Sequence, residues 1–190
     1  KNRREKLIND LIQIKKKHPC DLFILSIHSN EPEYELEVSQ KRKKWYYELL
    51  NYGVDIIWSN HQHVSQEWEV VNIKNTDGSI SQKLIMYCLG NFLSGQRRYP
   101  NYNSPEQISE YKGDSYLLQV TLDSNKNFTK INPIYITTHI ELINSKQYFL
   151  VKQLNENFIN QLKNSKIKKY YSQRLMHMKK IKGTTIWLKK

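Results

Sequence analysis

Two short apolar runs that lead into histidine are the clearest pattern of hydrophobic and polar positions along this chain. The first covers residues 22–28 and ends at His28, and the second begins at Val54 and leads into His61 and His63. Apolar runs of this length, bounded by turn-forming residues, are typical of parallel strands that are buried on both faces of a sheet. The pattern therefore predicts two strands, each with histidine at its carboxyl end.

The segment between these runs predicts a helix over residues 39–52, because Trp45, Leu49 and Tyr52 fall on one face. Gly53 is placed to end this helix as a C-cap residue. A right-handed crossover of strand, helix and strand makes the two strands parallel. Their carboxyl ends then lie at one edge of the sheet, which is where open α/β sheets place their ligand sites.

The remaining pattern predicts an α/β protein of the sandwich-like α+β kind, with this βαβ core, later antiparallel strands and C-terminal helices. The predicted helices cover residues 2–17, 144–162 and 167–181. The later strands cover residues 68–74, 83–89, 115–122 and 128–138, with a hairpin turn at Asp77-Gly78 and a long loop over residues 94–113. We expect residues 1–143 to form the domain and residues 144–190 a basic helical extension.

Basic residues are concentrated at the C-terminal end of a chain whose formal net charge is +12. Such a segment can bind an anionic membrane surface, nucleic acid or a polyanionic polymer, or it can be the solvated face of a helix. No acidic residue follows Glu156, whereas ten basic residues do: Lys163, Lys166, Lys168, Lys169, Arg174, Lys179, Lys180, Lys182, Lys189 and Lys190.

With 190 residues, 38% of them hydrophobic, the chain is long enough to bury a core, and its composition excludes a disordered protein. No run approaches the roughly 20 apolar residues that cross a bilayer, and no signal-peptide layout is present at Lys1. Because the first residue is lysine, we expect a fragment or a processed product. Cys20 and Cys88 are spaced too far apart for a zinc knuckle, and we expect both to be buried as small apolar residues.

Three histidines are predicted to meet at the edge of the sheet. His61 and His63 are two residues apart, and residues at this spacing in extended backbone point to the same side. His28 comes from the neighbouring strand end. Imidazole nitrogens suit Zn, Mn, Fe or Ni, so the pattern predicts a metal site without fixing the metal. The alternative is that these histidines form hydrogen bonds or lie on the surface.

A di-metal hydrolytic centre holds two cations about 3.5–4 Å apart and also needs a bridging carboxylate. Glu31, Glu33 and Glu67 are the carboxylates best placed near the predicted edge. The alternative is that they belong to a solvated acidic loop. The residues therefore indicate half of a di-metal site.

Five motifs occur in an order that resembles one known family. They are His28-Ser-Asn-Glu-Pro-Glu33-Tyr34, Gln40 at the start of a helix, Gly53-Val-Asp55, Asn60-His61-Gln-His63-Val64 and Tyr87-Cys-Leu-Gly-Asn91-Phe92. The chain resembles the CapA family of poly-γ-glutamate capsule synthesis proteins, a branch of the calcineurin-like metallophosphatases. The resemblance covers residues 21–92, and a weaker likeness continues over residues 113–133.

The resemblance implies that residues 1–143 are the C-terminal part of a metallophosphatase-type domain. It implies a cell-envelope or extracellular protein that acts on an anionic polymer or a phosphoester, as a metal-dependent phosphoesterase-type hydrolase when the whole domain is present. By resemblance, His28, His61 and His63 bind divalent metal ions (Mn, Zn or Fe), His28 and His61 are catalytic, and Glu33, Tyr34 and Asn91 bind substrate.

The sequence also departs from the family pattern. Ser29-Asn30 stands where the family has Trp-Gly, one extra residue precedes Glu33, Asn60 replaces a glycine, and Gln62 replaces the residues between the histidines. The aspartate, Asn-Leu-Glu and Asn-Asn-His motifs of the family's amino-terminal half do not occur in this sequence. We therefore expect the histidine half of a di-metal site and no catalysis by this chain alone.

Two other functions stay open. The first is a non-catalytic scaffold that binds an anionic polymer or membrane surface through the basic C-terminal segment. The second is nucleic-acid binding, since residues 43–47 and 168–171 place basic side chains beside aromatic ones. The sequence has no RNP, KH or zinc-finger pattern, which disfavours nucleic acid as the partner.

Overall fold

The computed structural model describes residues 3–188, so Asn2 of the predicted first helix and the terminal Lys189 and Lys190 lie outside the described residues. The helices are α1 (Arg3–Lys17), α2 (Gln40–Asn51), α3 (Ile108–Tyr111), α4 (Glu156–Gln161) and α5 (Ser165–Met178). The strands are β1 (Ile24–His28), β2 (Ile56–Asn60), β3 (Trp68–Lys74), β4 (Ile80–Met86), β5 (Asp114–Leu122), β6 (Phe128–Ile143), β7 (Lys146–Gln153) and β8 (Gly183–Leu188).

The first sheet has the strand order β1-β2-β4-β3-β8. β1 and β2 are parallel, as the crossover predicts, and α2 connects them. Ser39 caps α2 by accepting a hydrogen bond from the Arg42 amide, and Gly53 follows the helix with a φ of 92°. A positive φ is adopted readily by glycine, which explains why the helix ends at this point.

The helices α1 and α2 cover one face of the first sheet. The interface between these helices and the sheet contains the fully buried residues Leu49, Ile57 and Ile85. Leu11 of α1 belongs to the same hydrophobic cluster. Burial of a leucine or isoleucine side chain contributes about 1.5–3 kcal/mol relative to exposure, so this cluster fixes the helices on the sheet.

The second sheet has the order β5-β6-β7, and its strand pairs are antiparallel. Leu118, Val120 and Ile131 of this sheet pack against Ile56 and Leu84 on the other face of the first sheet. The fold is therefore a mixed α/β fold in which parallel and antiparallel strands form two packed sheets, which confirms the predicted fold class.

The helix predicted over residues 144–162 is wrong for most of its length. Asn144 and Ser145 both have positive φ values, 49° and 63°, and form a two-residue turn that returns the chain as β7. Only Glu156–Gln161 of this segment is helical. The apolar residues spaced four apart resemble a helical stripe, but pairing with β6 overrides that local signal.

The basic segment is not helical throughout. The helix predicted over residues 167–181 is confirmed as α5, with Asn164 as its N-cap. Beyond it, Gly183–Leu188 forms β8, which pairs with β3 in parallel register. β8 thus joins the first sheet, although no pattern in the sequence predicts this strand.

Smaller differences concern turns and exposure. β4 begins at Ile80, three residues before the predicted start, because the turn at Asp77-Gly78 pairs Lys74 directly with Ile80. Cys88 is buried as expected, but Cys20 is exposed, since it precedes β1 in an exposed connection. Within the described range, none of the helices is long and apolar enough to cross a membrane.

Candidate functional site

β1 and β2 bring two polar segments together at the predicted edge of the sheet. His28 and Asn60, the last residues of the two strands, are register partners. The Ser29 amide donates to the Asn60 carbonyl over 3.0 Å, and His61 follows Asn60 directly. The pairing of the two strands is therefore what brings His28 and His61 to the same place.

His28 and His61 are in contact through their ring nitrogens. His61 Nδ1 lies 2.8 Å from His28 Nε2, and His28 Nδ1 lies 2.7 Å from Asn60 Oδ1. Because an amide oxygen only accepts, His28 Nδ1 donates to Asn60, and the lone pair of neutral His28 on Nε2 accepts from His61 Nδ1. One proton is therefore shared by the two imidazoles.

This contact suits a metal ion as well as a proton. Two nitrogens that bind one metal at about 2.0–2.1 Å lie about 3 Å apart, so a cation in place of the shared proton requires only a small separation of the rings. Asn60 would then remain the partner that orients His28, as carbonyl groups commonly do for metal-binding histidines. In the sequence Asn60 stands out only as a departure from the family's glycine.

His63 faces a different set of side chains. Its Nδ1 lies 2.9 Å from Asn91 Oδ1, and Asn91 Nδ2 donates to the Lys112 carbonyl over 3.0 Å, which fixes the orientation of the amide. His63 Nδ1 therefore donates, and the lone pair of the neutral ring is on Nε2, 3.8 Å from Glu33 Oε1. Two acceptors that face each other in this way favour a proton or a cation between them.

The backbone around the two later histidines is not extended. His61 and His63 have φ values of 119° and 60°, so the alternation assumed for the His-x-His spacing is wrong. Their ring centroids are 6.4 Å apart. Positive φ at residues other than glycine is costly, and outside tight turns it is concentrated at functional sites. The Gln62 carbonyl accepts from the Tyr34 amide over 2.9 Å, which ties this turn to the acidic loop.

Glu33 and Tyr34 lie together beside His63. A hydrogen bond to Glu33 raises the pKa of Tyr34, so the phenol stays protonated at neutral pH. The Tyr34 ring centroid is 6.1 Å from that of His63, and Lys112 Nζ lies 5.0 Å from the same Tyr34 centroid. Lys112 therefore belongs to the surroundings of the site, although no motif in the sequence points to it.

The other two candidate carboxylates pair with basic residues of α2. Glu31 Oε2 lies 3.3 Å from Arg42 Nε, and Glu67 Oε1 lies 2.5 Å from Lys43 Nζ. Of the three carboxylates considered in the sequence, Glu33 is thus the one that the structure places against a histidine.

No pattern in the sequence distinguishes Arg42, because it occurs in a run of basic residues on a helix. It is buried, and its guanidinium donates to Ser29 Oγ over 3.4 Å and to the Gln66 side chain. These contacts, with the ion pair to Glu31, hold the segment that follows His28.

Asn91 lies in a tight turn that follows Gly90. Gly90 has a φ of 82°, and a Cβ at this position would come within 2.6 Å of the Asp114 carbonyl oxygen. Glycine is therefore required for the chain to pass this close to β5. The turn aims Asn91 at His63, so one residue has both the structural and the orienting role.

The described side chains form two neighbouring pairs, His28 with His61 and His63 with Glu33. Over residues 3–188, no group of three or more histidine, cysteine, aspartate or glutamate side chains converges as a ready set of metal ligands. Binding of metal by His28, His61 and His63, and of substrate by Glu33, Tyr34 and Asn91, stays a prediction.

Comparison with known proteins gives the family. No curated protein matches the chain. Residues 1–96, slightly more than half of the sequence, match the family described as bacterial capsule synthesis protein PGA_cap. This range contains both histidine-bearing strand ends, α2 and the turn of Asn91. The chain therefore belongs to the bacterial capsule synthesis protein family PGA_cap, as its motifs predicted.

Proposed function

We propose that this capsule synthesis protein uses its histidine cluster as the histidine half of a metallophosphatase-type di-metal site. In this proposal the protein acts in the cell envelope on an anionic capsule polymer, poly-γ-glutamate, or on a phosphoester used in its synthesis. The observation that carries the proposal is the contact between His28 Nε2 and His61 Nδ1, which are 2.8 Å apart, with the tautomer of His28 set by Asn60.

The residues have distinct parts in this proposal. His28 and His61 would share one divalent cation (Mn, Zn or Fe), and His63 with Glu33 would contact the second. Bound cations of this kind supply a Lewis acid and lower the pKa of a bound water. Asn60 and Asn91 hold His28 and His63, respectively, in the tautomers that present a lone pair on Nε2.

We expect little or no turnover by this chain alone. Glu31 and Glu67 are paired with Arg42 and Lys43, so Glu33 is the one candidate carboxylate facing a histidine. A di-metal centre needs a bridging carboxylate and further oxygen ligands. Sustained hydrolysis of a chromogenic phosphodiester with Mn or Zn, abolished in His63→Ala, would contradict the half-site proposal.

Metal binding tests the site directly. Calorimetric titration with Zn or Mn should show binding that falls by about tenfold or more in His28→Ala and in His61→Ala, since each change removes a ligand. His18→Ala is the matched control, because His18 is exposed and lies outside the cluster. Equal metal affinity in His61→Ala and in the unaltered chain would contradict the proposal.

A second candidate function is a scaffold that binds an anionic polymer through the basic C-terminal segment. Arg174 of α5 points inward and is buried, whereas the lysines of this segment are largely exposed. Replacement of Lys163, Lys166 and Lys169 by glutamine removes three exposed charges without touching β8. If this variant loses retention of poly-γ-glutamate or of anionic vesicles while His61→Ala does not, the scaffold function is supported over the metal site.

A further inference from the structure

We propose that Lys112 binds an oxyanion of the substrate at the rim of the histidine cluster. The inference rests on the proposed function and deepens it by assigning a cationic binding residue to the same site. The ligand group is a phosphate or a carboxylate, both of which present several acceptor oxygens to an ammonium group.

The position of Lys112 supports this assignment. Its backbone carbonyl accepts from Asn91 Nδ2 over 3.0 Å, and Asn91 in turn holds His63. Its ammonium nitrogen lies 5.0 Å from the centroid of the Tyr34 ring, which also lies beside His63. A single asparagine and a single aromatic ring therefore connect Lys112 to His63.

The charge of Lys112 is uncompensated within the described part of the chain. Lys43, by comparison, forms ion pairs with Glu67 and Glu69, whereas the Lys112 ammonium faces the Tyr34 ring and has no described carboxylate within 4.0 Å. The residue is also only partly exposed. A partly desolvated ammonium without an ion-pair partner attracts an anion more strongly than a fully solvated lysine does.

The backbone next to Lys112 is held in place by its packing on Arg97. Gly113 packs so closely on Arg97 that a Cβ at this position would overlap the guanidinium group. Arg97 is itself buried and donates to Asp114 and Thr137. Since the backbone is held, binding an anion requires ordering of the lysine side chain alone, which lowers the entropic cost of binding.

A binding experiment with two anions tests the inference. Amide signals of Gly113 and Tyr34 are followed by nuclear magnetic resonance during titration with inorganic phosphate and, separately, with a short γ-linked glutamate oligomer, both in metal-free buffer. We expect Lys112→Ala to weaken binding of at least one probe by about tenfold, the usual loss for one charge-assisted contact, and Lys112→Arg to retain most of it. Lys130→Ala is the matched control, because Lys130 is an exposed lysine on β6.

The outcomes separate the two proposals. A Lys112-dependent response to phosphate alone assigns the site to phosphoesters, and a response to the oligomer alone assigns it to the polymer carboxylates. Unchanged affinity for both probes in Lys112→Ala, or signal changes confined to α5, overturns the inference. Failure of metal to bind, measured in a separate titration, contradicts the proposed function. It does not affect the measurement of anion binding by Lys112, which is made in metal-free buffer.

Discussion

Asp114 is the carboxylate that two buried guanidinium groups share, and its replacement by asparagine tests how the long loop over residues 94–113 is held. Asp114 Oδ1 accepts from Arg97 Nη1 over 3.2 Å, and Oδ2 accepts from Arg174 Nε over 2.6 Å. All three side chains are 1% exposed. Buried Glu110, which accepts from the Tyr170 hydroxyl over 2.6 Å, supplies the second negative charge.

The expected magnitude follows from this balance of two positive and two negative buried charges. Asp114→Asn preserves the shape of the side chain but leaves two guanidinium groups with Glu110 as the remaining anion of the cluster. Loss of one partner from a buried ion pair costs about 3–5 kcal/mol. Since domains are stable by about 5–15 kcal/mol in total, the variant should lose a large part of its stability and stay folded in the absence of denaturant.

Urea unfolding followed by tryptophan fluorescence measures this loss. Asp21→Asn is the matched control, because its fully exposed carboxylate lies 3.9 Å from Lys126 and should contribute little to stability. Arg174→Met in the Asp114→Asn background removes the unpaired cation, so the double variant should be more stable than the sum of the single effects by about 1 kcal/mol or more. A loss below about 1 kcal/mol in Asp114→Asn would refute the reasoning.

Two further predictions concern stability. Gln62 is fully buried, and its side-chain amide contacts no donor or acceptor of the described chain. Gln62→Leu should therefore raise the free energy of unfolding by about 1 kcal/mol. A lower free energy of unfolding in urea would contradict this prediction. Burial, aided by the charge of Arg174, lowers the pKa of His177 from 6.5 to about 4. The unfolded chain therefore binds this proton more readily than the folded chain does. As a result, the free energy of unfolding falls as the pH drops from about 6.5 towards 4. Between about pH 8 and pH 5, the unaltered chain should lose more stability than His177→Gln, by an amount on the order of 1 kcal/mol because solvent partly screens this half-buried ring, and equal losses would contradict this.

The parts of the fold that could be predicted are those with strong local patterns. The βαβ unit follows from two apolar runs and a capped helix, and the range Trp68–Lys74 was predicted to the residue. β7 could not be predicted, because Leu150 and Leu154 have the spacing of a helical stripe and its strand character comes from pairing with β6. β8 has only six residues and follows a basic helix, so its place beside β3 is set by tertiary packing.

The candidate site could likewise be predicted from the sequence only in part. The meeting of His28 with His61 follows from the topology of a parallel crossover, and the sequence was sufficient to predict it. The orientation of each ring depends on Asn60 and Asn91, and a sequence does not reveal which nitrogen of an imidazole will face which partner. Lys112 directly follows the short helix α3, far along the chain, where no periodic pattern marks it.

The two histidine pairs are held by different parts of the molecule, and this difference has a measurable consequence. His28 and His61 depend on the pairing of β1 with β2, whereas His63 depends on Asn91 and the Lys112 carbonyl, next to Gly113 and its contact with Arg97. Loosening the buried charge cluster should therefore disturb His63 and leave the first pair in place. In Asp114→Asn, imidazole resonances of His63 should shift while those of His28 and His61 stay unchanged. The reason is that the buried charges of Asp114, Arg97 and Arg174 contact the segment of Lys112 and Gly113 and, within the described residues, do not contact β1 or β2.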